Sequence, residues 1–393
     1  MRIALIATDE AGYEPDRQPA ELGGRALTLH QLDFALGQGC GKILFLGHGG
    51  GPEALALRQA AERAGAQFQV LRGPRDLPAT VRGEDELLVL ARGLLPDSPK
   101  GSDMLRKGPV ILSLPVQAGA AGGFELLDLT AAWGGAIAMP GRLADRLDML
   151  PEDGEPIAGL LRVARQAGIP ERQLPESELV DGRWVLLRNA EQALAAEPSW
   201  LRRRLPPASP WHPTAWLARM LLRRFGVGAT ASARAGPLAR AAAVLAILGA
   251  LASAWFGYPL GGLILLALAV LAIELGDGIA QLTRPSFAGE APPSKLSRGL
   301  RLVLDAALVA VGALALPGAL HRRLFLALLP VGLLHVPLPA GSRAWRALFE
   351  DRALVIAALA LAVGFDVAEK GFMAVALVLL ALRIGPLPAK ERD

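Results

Sequence analysis

Cysteine is nearly absent from this sequence, since Cys40 is the single cysteine among 393 residues. One thiol excludes an internal disulfide and is compatible with a reducing compartment. The N-terminus also lacks the long apolar run of a secretory signal peptide, because the first apolar stretch is short and turns acidic at Asp9 and Glu10. We therefore expect the N-terminal half of the chain to stay in the cytoplasm.

The sequence has little net charge, only +4, and no groove-reading motif that would indicate a nucleic-acid partner. We therefore expect no nucleic acid to bind. Its arginines instead cluster just before the apolar C-terminal part, a pattern that suits the anionic cytoplasmic face of a membrane. They are Arg202, Arg203, Arg204, Arg219, Arg223, Arg224, Arg234 and Arg240.

Long apolar stretches fill the chain from about Pro237 onward. The first two approach the roughly 20 residues that cross a hydrocarbon core of ~30 Å. The fourth is short and contains Pro330. The six stretches are 238–257, 259–276, 300–317, 323–338, 352–366 and 370–385. They predict an all-α six-helix transmembrane domain over residues 237–393.

Basic residues favour one orientation of this predicted domain. They concentrate in loops 277–299 and 339–351 and in the C-terminal tail. The positive-inside rule then predicts a multi-pass protein of a bacterial-type inner (cytoplasmic) membrane, with both termini in the cytoplasm. No internal repeat is evident, which disfavours an inverted-repeat transporter.

The N-terminal residues 1–200 alternate between strand-like and helix-like segments. This alternation predicts an α/β, Rossmann-like domain with a mostly parallel sheet and helices on both faces. The predicted strands are Arg2–Thr8, Lys42–Leu46, Gln67–Leu71, Glu86–Ala91, Pro109–Leu114 and Trp184–Arg188.

Residues 201–236 predict a Pro- and Arg-rich linker followed by a helix. From Trp216 to Phe225, apolar residues and arginines alternate at helical spacing, as in a helix lying on a membrane surface. The alternative is an ordinary helix docked on the N-terminal domain.

Three acidic residues lie at the ends of two apolar stretches, where an unpaired charge is costly. Glu274 and Asp277 are three residues apart and share a helix face. Asp305 lies at comparable depth in the next stretch. Together they predict a site for a hard divalent cation such as Mg²⁺ at the cytoplasmic rim. The alternative is that the acids pair with Arg284, Arg298 and Arg301.

These residues resemble the motif of the CDP-alcohol phosphotransferase family, in which D-x-x-D-G-x-x-A-R is followed by a spacer and G-x-x-x-D-x-x-x-D. The present sequence reads ELGDGIAQLTR over 274–284 and SRGLRLVLD over 297–305. Glu274 stands at the first Asp, Asp277 and Gly278 match the second Asp and the Gly, and Asp305 matches the last Asp. Gln281 and Leu282 replace the Ala-Arg pair, Ser297 replaces a Gly, and Arg301 replaces the third Asp. The spacer is lengthened by PSFAGEAPPSK.

The resemblance implies roles for these residues. Glu274, Asp277 and Asp305 would hold Mg²⁺ or Mn²⁺, with Asp305 also acting as catalytic base. Gly278, Arg284 and Arg301 are assigned to cofactor binding. Arg301 removes a ligand and adds a cation one helical turn from Asp305, which also suggests lost activity.

The N-terminal domain is similar to the nucleotidyltransferase-like fold of sugar-phosphate and inositol-phosphate cytidylyltransferases. The similarity lies in the first strand, in ELGGRALTLHQLDFALGQGCGKILFLG over 21–47, and in the closing stretch from Asp181. The loop after the first strand is acidic where a phosphate-binding loop is expected. The metal-binding Asp expected after the strand at 86–91 is missing, and Asp97 comes too late. We expect a catalytically idle domain.

Together the halves resemble fused cytidylyltransferase/CDP-alcohol phosphotransferase enzymes. This implies a membrane transferase, a phosphotransferase for other substituted phosphate groups, that moves a phosphoalcohol from a CDP-linked donor to an alcohol or lipid acceptor in phospholipid biosynthesis. Membrane lipids and a homodimeric partner are implied with it. The alternative is a pseudoenzyme that scaffolds or regulates lipid or envelope synthesis. A small-solute transporter is a third interpretation.

Overall fold

The computed structural model describes residues 1–8, 20–71, 73, 75–149, 155–230, 235–284, 295–337 and 344–384. The chain divides into two compact units. The first, the α/β unit, comprises Met1–Arg204 together with Arg284, and the second, the helical unit, begins at Leu205 and holds the other described residues.

Eleven strands lie in the described part of the α/β unit. They are β1 (Arg2–Ala7), β2 (Glu21–Leu22), β3 (Arg25–Ala26), β4 (Lys42–Leu46), β5 (Gln67–Leu71), β6 (Glu86–Leu90), β7 (Leu94–Pro96), β8 (Val110–Pro115), β9 (Ala131–Pro140), β10 (Glu171–Gln173) and β11 (Trp184–Leu186). Seven of them form one sheet in the order β10-β8-β9-β6-β1-β4-β5. β2 pairs with β3, and β7 pairs with β11.

The α/β unit also contains helices between and after these strands. They are α1 (Leu27–Gly37), α2 (Pro52–Arg63), α3 (Asp76–Thr80), α4 (Pro99–Arg106), α5 (Val116–Ala121), α6 (Pro156–Gln166), α7 (Glu176–Val180) and α8 (Ala190–Arg204), with a 3₁₀ helix at Gly141–Met149. Strand β1, which lies between β6 and β4, is buried from Ile3 to Ala7, as expected of a parallel strand covered on both faces.

The predicted α/β class with a mostly parallel sheet is confirmed. β1 runs parallel to β4 and β6, and β4 runs parallel to β5. β9 was missed, because its sequence AAWGGAIAMP is rich in Ala and Gly, which are depleted in strands. β9 pairs antiparallel with both β6 and β8. The predicted strand at Trp184–Arg188 is shorter and lies outside the main sheet, antiparallel to β7.

The helical unit contains seven α-helices among its described residues. They are α9 (Pro213–Thr230), α10 (Ala235–Trp255), α11 (Pro259–Leu282), α12 (Lys295–Ala315), α13 (Leu320–Leu334), α14 (Arg352–Gly364) and α15 (Ala368–Arg383), and a 3₁₀ helix covers Ala344–Glu350. The buried side chains of α10 to α15 form one apolar core, which includes Ile247, Leu266, Val311 and Phe372.

The expectation of six transmembrane spans is corrected by these helices. Among the described residues, only α10 and α11 are long and apolar enough to cross a membrane. α14 has 13 residues, about 20 Å at 1.5 Å per residue, which is too short for a hydrocarbon core of ~30 Å. α12 is interrupted by charged residues, among them Arg301 and Asp305. The structure thus supports membrane association through two candidate spans, without support for the predicted multi-pass topology or the cytoplasmic location of both termini.

Close packing of α10, α11 and α12 depends on Gly262. A Cβ atom added there would lie 2.8 Å from the Ala250 carbonyl oxygen and 3.1 Å from Val311 Cγ1. We expect Gly262→Ala to destabilise the helical unit by about 1–3 kcal/mol, because the backbone of α10 cannot easily move away. Thermal unfolding in detergent measures this.

Gly332 in α13 provides the matched control, since no atom lies within 4 Å of an added Cβ. Gly332→Ala should be neutral or stabilising by up to ~1 kcal/mol, as Ala favours helix. Equal unfolding temperatures for the two variants would contradict the packing described.

Candidate functional site

The predicted acidic residues of α11 are bound to an arginine of α12. One terminal guanidinium nitrogen, Nη2 of Arg301, donates to Glu274 Oε1 at 3.0 Å and to Asp277 Oδ2 at 2.9 Å. The hydroxyl of Ser297 donates to Asp277 Oδ1 at 2.6 Å. We call these four residues the Arg301 cluster. All four side chains are thereby held in a single network of charge-assisted hydrogen bonds.

Helical spacing explains how the Arg301 cluster assembles. Glu274 and Asp277 are three residues apart on α11, and Ser297 and Arg301 are four apart on α12, so each pair lies on one helix face. α11 and α12 pack directly against each other. The family motif has an acidic residue at the position of Arg301 and a glycine at that of Ser297. In this chain, these two residues instead donate hydrogen bonds to the acids of α11.

Asp305, the predicted catalytic base, has different partners. Arg352, at the start of α14, donates from Nε to Oδ1 at 2.9 Å and from Nη2 to Oδ2 at 3.1 Å. This two-pronged arrangement is the strongest geometry between a guanidinium and a carboxylate. Nε2 of His335 lies 3.4 Å from Oδ2. Asp305 is only 4% exposed, so both of its oxygens are buried and already accept hydrogen bonds.

The residues predicted to hold Mg²⁺ or Mn²⁺ do not fit that ion as they are arranged. A hard divalent cation needs several oxygen ligands directed at one point. Glu274 and Asp277 are directed at the guanidinium of Arg301, whereas Asp305 is directed at Arg352. Among the described residues, no group of three or more His, Cys, Asp or Glu side chains is placed to hold a metal ion. In this structure the three acids are not directed at one point. The metal-binding roles of Glu274, Asp277 and Asp305 and the catalytic role of Asp305 stay predictions.

The alternative interpretation of the sequence was that the acids pair with arginines. Arg301 does pair with Glu274 and Asp277. Arg352 was missed as a partner. Its signal in the sequence is the Asp351-Arg352 pair, which places two charges immediately before an apolar stretch. Such charges at a helix start are ordinarily assigned to solvent, so the distant partner in α12 could not be identified.

Gly278 and Arg284, both predicted to bind a cofactor, have other surroundings. A Cβ atom at Gly278 would lie 2.3 Å from Leu222 Cδ1, so this glycine allows α9 to pack closely on α11. Arg284 is exposed, and its backbone carbonyl accepts a hydrogen bond from Arg204. Their roles in cofactor binding, like that of Arg301, stay predictions. The insert that follows Arg284 lies outside the described residues.

Hydrogen bonds at its first turn also hold α9 in place. Asp351 accepts hydrogen bonds from the backbone nitrogen of Thr214 at 2.8 Å and from its hydroxyl at 2.6 Å. The same carboxylate caps α14 by accepting from Ala353 N at 3.0 Å. One buried acid therefore ties the start of α9 to the start of α14.

In the α/β unit, Asp97 belongs to a buried ion pair. Its Oδ1 accepts from Arg204 Nη2 at 2.7 Å, and both side chains are buried. The guanidinium of Arg204 also lies 5.5 Å from the ring centroid of Trp200. Asp97 thus serves to dock α8 against the strand β7.

His30 is buried in the same region. Its Nε2 bonds the carbonyl oxygen of Leu22 at 3.0 Å, and the edge of its ring contacts Trp200. Burial, followed by the nearby charge of Arg25, lowers the pKa of His30 to about 3, so the ring is neutral at physiological pH. His48, in the Gly-rich turn before α2, is exposed. The acidic stretch 8–16, where a phosphate-binding loop is expected, lies outside the described residues apart from Thr8.

No protein-family model matches this chain, and no curated protein matches it at a significant level. Among solved structures, it is similar to UDP-glucose pyrophosphorylase complexed with UDP-glucose, with 11% identity over 52% of this chain and 99% of that one. The TM-score is 0.37, which is too low to carry an argument about function. The α/β assignment therefore depends on the strand order and directions given above.

The Asp305–Arg352 pair generates a prediction about stability. Removing one partner of a buried ion pair leaves the other charge uncompensated, so Asp305→Asn and Arg352→Gln should each cost about 3 kcal/mol. The double variant should lose less than the sum of the two, with a coupling of at least ~1 kcal/mol. A double-mutant cycle on unfolding in detergent measures it. The exposed Arg58–Glu62 pair is the control, with an expected coupling below ~0.5 kcal/mol; additivity at Asp305 and Arg352 would contradict the pairing.

His30 generates a prediction about pH. Its folded-state pKa of about 3 lies below its unfolded value of 6.5, so between these values the unfolded chain binds one proton more. The free energy of unfolding should therefore fall as the pH falls below 6.5, by about 1.4 kcal/mol per unit from this group. In His30→Gln this contribution is absent. Urea unfolding followed by tryptophan fluorescence at pH 7, 6 and 5 should give a shallower decline for the variant, and equal slopes would refute a buried neutral His30.

Proposed function

We propose that this protein is a membrane-embedded, non-catalytic relative of the CDP-alcohol phosphotransferases that scaffolds or regulates lipid or envelope synthesis. The observation that carries the proposal is the position of Arg301, whose guanidinium bonds both Glu274 and Asp277. These are two of the acids that the resemblance assigns to a catalytic cation. In this chain their counter-ion is the side chain of Arg301, which is part of the protein itself.

Exposed apolar side chains support the membrane placement. A core helix of a soluble protein is mostly buried, whereas only 22% of the most apolar window of α10 and 39% of that of α11 are buried. Each of the six helices α10 to α15 also carries at least one large apolar side chain that is more than half exposed. Examples are Leu245, Leu248, Ile264, Leu268, Leu302, Val303, Phe325, Leu328, Leu361 and Leu377. Such a surface suits a lipid environment. We place α10 and α11 as the spans, with the other helices packed around them.

Electrostatics explains why Arg301 argues against catalysis through a cation. Two unit charges ~4 Å apart at an effective dielectric constant of ~20 interact by about 4 kcal/mol, so a divalent ion beside a guanidinium is repelled by about 8 kcal/mol. The ion would also have to displace two hydrogen bonds that Arg301 already makes. The carboxylates are satisfied without it.

Asp305 is likewise committed to a partner within the structure. Both of its oxygens accept hydrogen bonds from the guanidinium of Arg352. Its pairing serves to hold α12 against α14.

The α/β unit fits the same proposal. We interpret it as a nucleotidyltransferase-like domain without nucleotide chemistry, in which Asp97 is committed to Arg204 and His30 is buried and neutral. It retains a seven-stranded sheet in the order β10-β8-β9-β6-β1-β4-β5.

The enzymatic alternative keeps the support of the sequence resemblance. Glu274, Asp277, Gly278 and Asp305 still match positions of the family motif. Transfer from a CDP-linked donor to an alcohol or lipid acceptor would require Arg301 to leave the acids before Mg²⁺ could bind. The following experiments separate the two functions.

The purified protein should release no CMP from CDP-linked alcohols or CDP-diacylglycerol above the protein-free rate, with Mg²⁺ or with Mn²⁺. Nucleotide chromatography measures the release. Mg²⁺-dependent CMP release that Asp305→Asn abolishes would contradict the proposal and establish the enzymatic alternative.

Arg301→Asp tests the role of the arginine itself. This change restores an acid at the motif position and removes the competing cation, so Mn²⁺ should bind at least about tenfold more tightly than to the unmodified protein. Arg301→Asn is the matched control, because it removes the guanidinium without adding a carboxylate. Electron paramagnetic resonance of free Mn²⁺ measures binding. The proposal fails if the unmodified protein binds Mn²⁺ as tightly as Arg301→Asp.

A further inference from the structure

A pocket of about 430 Å³ lies beside α9 in the helical unit. Two residues that precede α9, at 207 and 208, form one wall, and one side of α9 forms the other. The lining residues are Pro207, Ala208, Trp216, Arg219, Met220, Arg223 and Arg224. Three of the seven are arginines, and no acidic residue is among them. The pocket is therefore positively charged and large enough for a small anionic group.

Backbone contacts hold two of these arginines in place. Arg219 Nη1 donates to the Pro206 carbonyl oxygen at 2.7 Å, and Arg223 Nη2 donates to the Leu205 carbonyl oxygen at 2.6 Å. Each guanidinium has five N–H donors, so one such bond fixes the side chain and leaves donors for a ligand. Nε of Arg223 is buried and has no hydrogen-bond partner in the described part of the chain.

The other lining residues indicate a ligand that is not purely ionic. Trp216 and Met220 are 45% and 44% exposed, on the outer side of α9. On the opposite side, Ala218 and Leu222 are buried, and Leu222 reaches Gly278 of α11. α11 is one of the two candidate spans. The pocket thus combines arginines with a tryptophan, a residue enriched where membranes meet water, beside a helix that can enter the membrane.

We propose that this pocket binds the phosphate of an anionic phospholipid headgroup. Arg219 and Arg223 donate hydrogen bonds to the phosphate oxygens. Trp216 and Met220 contact the glycerol and acyl region of the lipid. The inference rests on the membrane placement proposed above and specifies which lipid class the helical unit recognises. Guanidinium forks match phosphate oxygens in pairs, whereas a zwitterionic headgroup would bring its ammonium group into a site lined with arginines.

The test uses the full chain in detergent, mixed with phosphatidylglycerol and phosphatidylcholine and analysed by native mass spectrometry. The unmodified protein should retain phosphatidylglycerol at least about fivefold over phosphatidylcholine. The double variant Arg219→Gln/Arg223→Gln should lose that selectivity. Arg219→Lys/Arg223→Lys keeps the charge without the fork and should show an intermediate value, which keeps the test decisive if the Gln variant fails to fold.

Arg58→Gln/Arg63→Gln in α2 is the matched control, because it removes the same charge from an exposed surface and should leave the selectivity unchanged. Selectivity that persists in Arg219→Gln/Arg223→Gln would overturn the proposal. So would displacement of the lipid by millimolar inorganic phosphate alone, since the site would then take free phosphate.

Carbonate extraction of membranes separates this inference from the proposed membrane placement. If the unmodified protein is released into the soluble fraction, the membrane placement fails, and this inference fails with it. If the protein and the Gln variant both stay in the membrane while only the lipid selectivity is lost, the pocket assignment is supported. If both stay and the selectivity is equal, the pocket assignment alone is wrong.

Discussion

The helical unit depends on how buried and half-buried carboxylates are neutralised. Glu274 and Asp277 share the guanidinium of Arg301, and Asp305 takes that of Arg352. An unpaired charge at such positions would cost several kcal/mol, so these pairs constrain which helices can be neighbours. The first pairing joins α11 to α12, and the second joins α12 to α14. A positive charge that is part of the chain thus performs the structural task that a bound cation would perform in a metal-dependent site.

The side-chain pairs of the Arg301 cluster leave the helical pattern of α11 undisturbed. Asp277 and Gly278 keep their helical spacing, and Gly278 remains necessary because Leu222 packs against it. The packing at Gly278 therefore does not depend on which residue stands at position 301. The α/β unit follows the same principle, since Asp97 and Arg204 form a buried pair where a metal-binding acid was sought. In both units, ion pairs hold secondary-structure elements together.

Local sequence patterns predicted much of this structure, whereas contacts between residues far apart in the sequence were mostly not predicted. The strands at 42–46 and 67–71 lie where apolar periodicity and turn residues put them. β9 escaped prediction because its stability comes from two neighbouring strands, which compensate for a sequence of weak strand formers. Hydropathy also overestimated the number of spans, since an apolar stretch of 13 residues is as consistent with a short packed helix as with a crossing.

The candidate site illustrates the same division. Sequence spacing placed Glu274 and Asp277 on one face and identified Arg301 as a competing cation, but it could not reveal Arg352, 47 residues from Asp305. The most direct measurement is an experimental structure determined with Mn²⁺ and its anomalous scattering. The account predicts a guanidinium between Glu274 and Asp277 and no anomalous peak there. A peak coordinated by Glu274, Asp277 and Asp305, with Arg301 turned away, would contradict it.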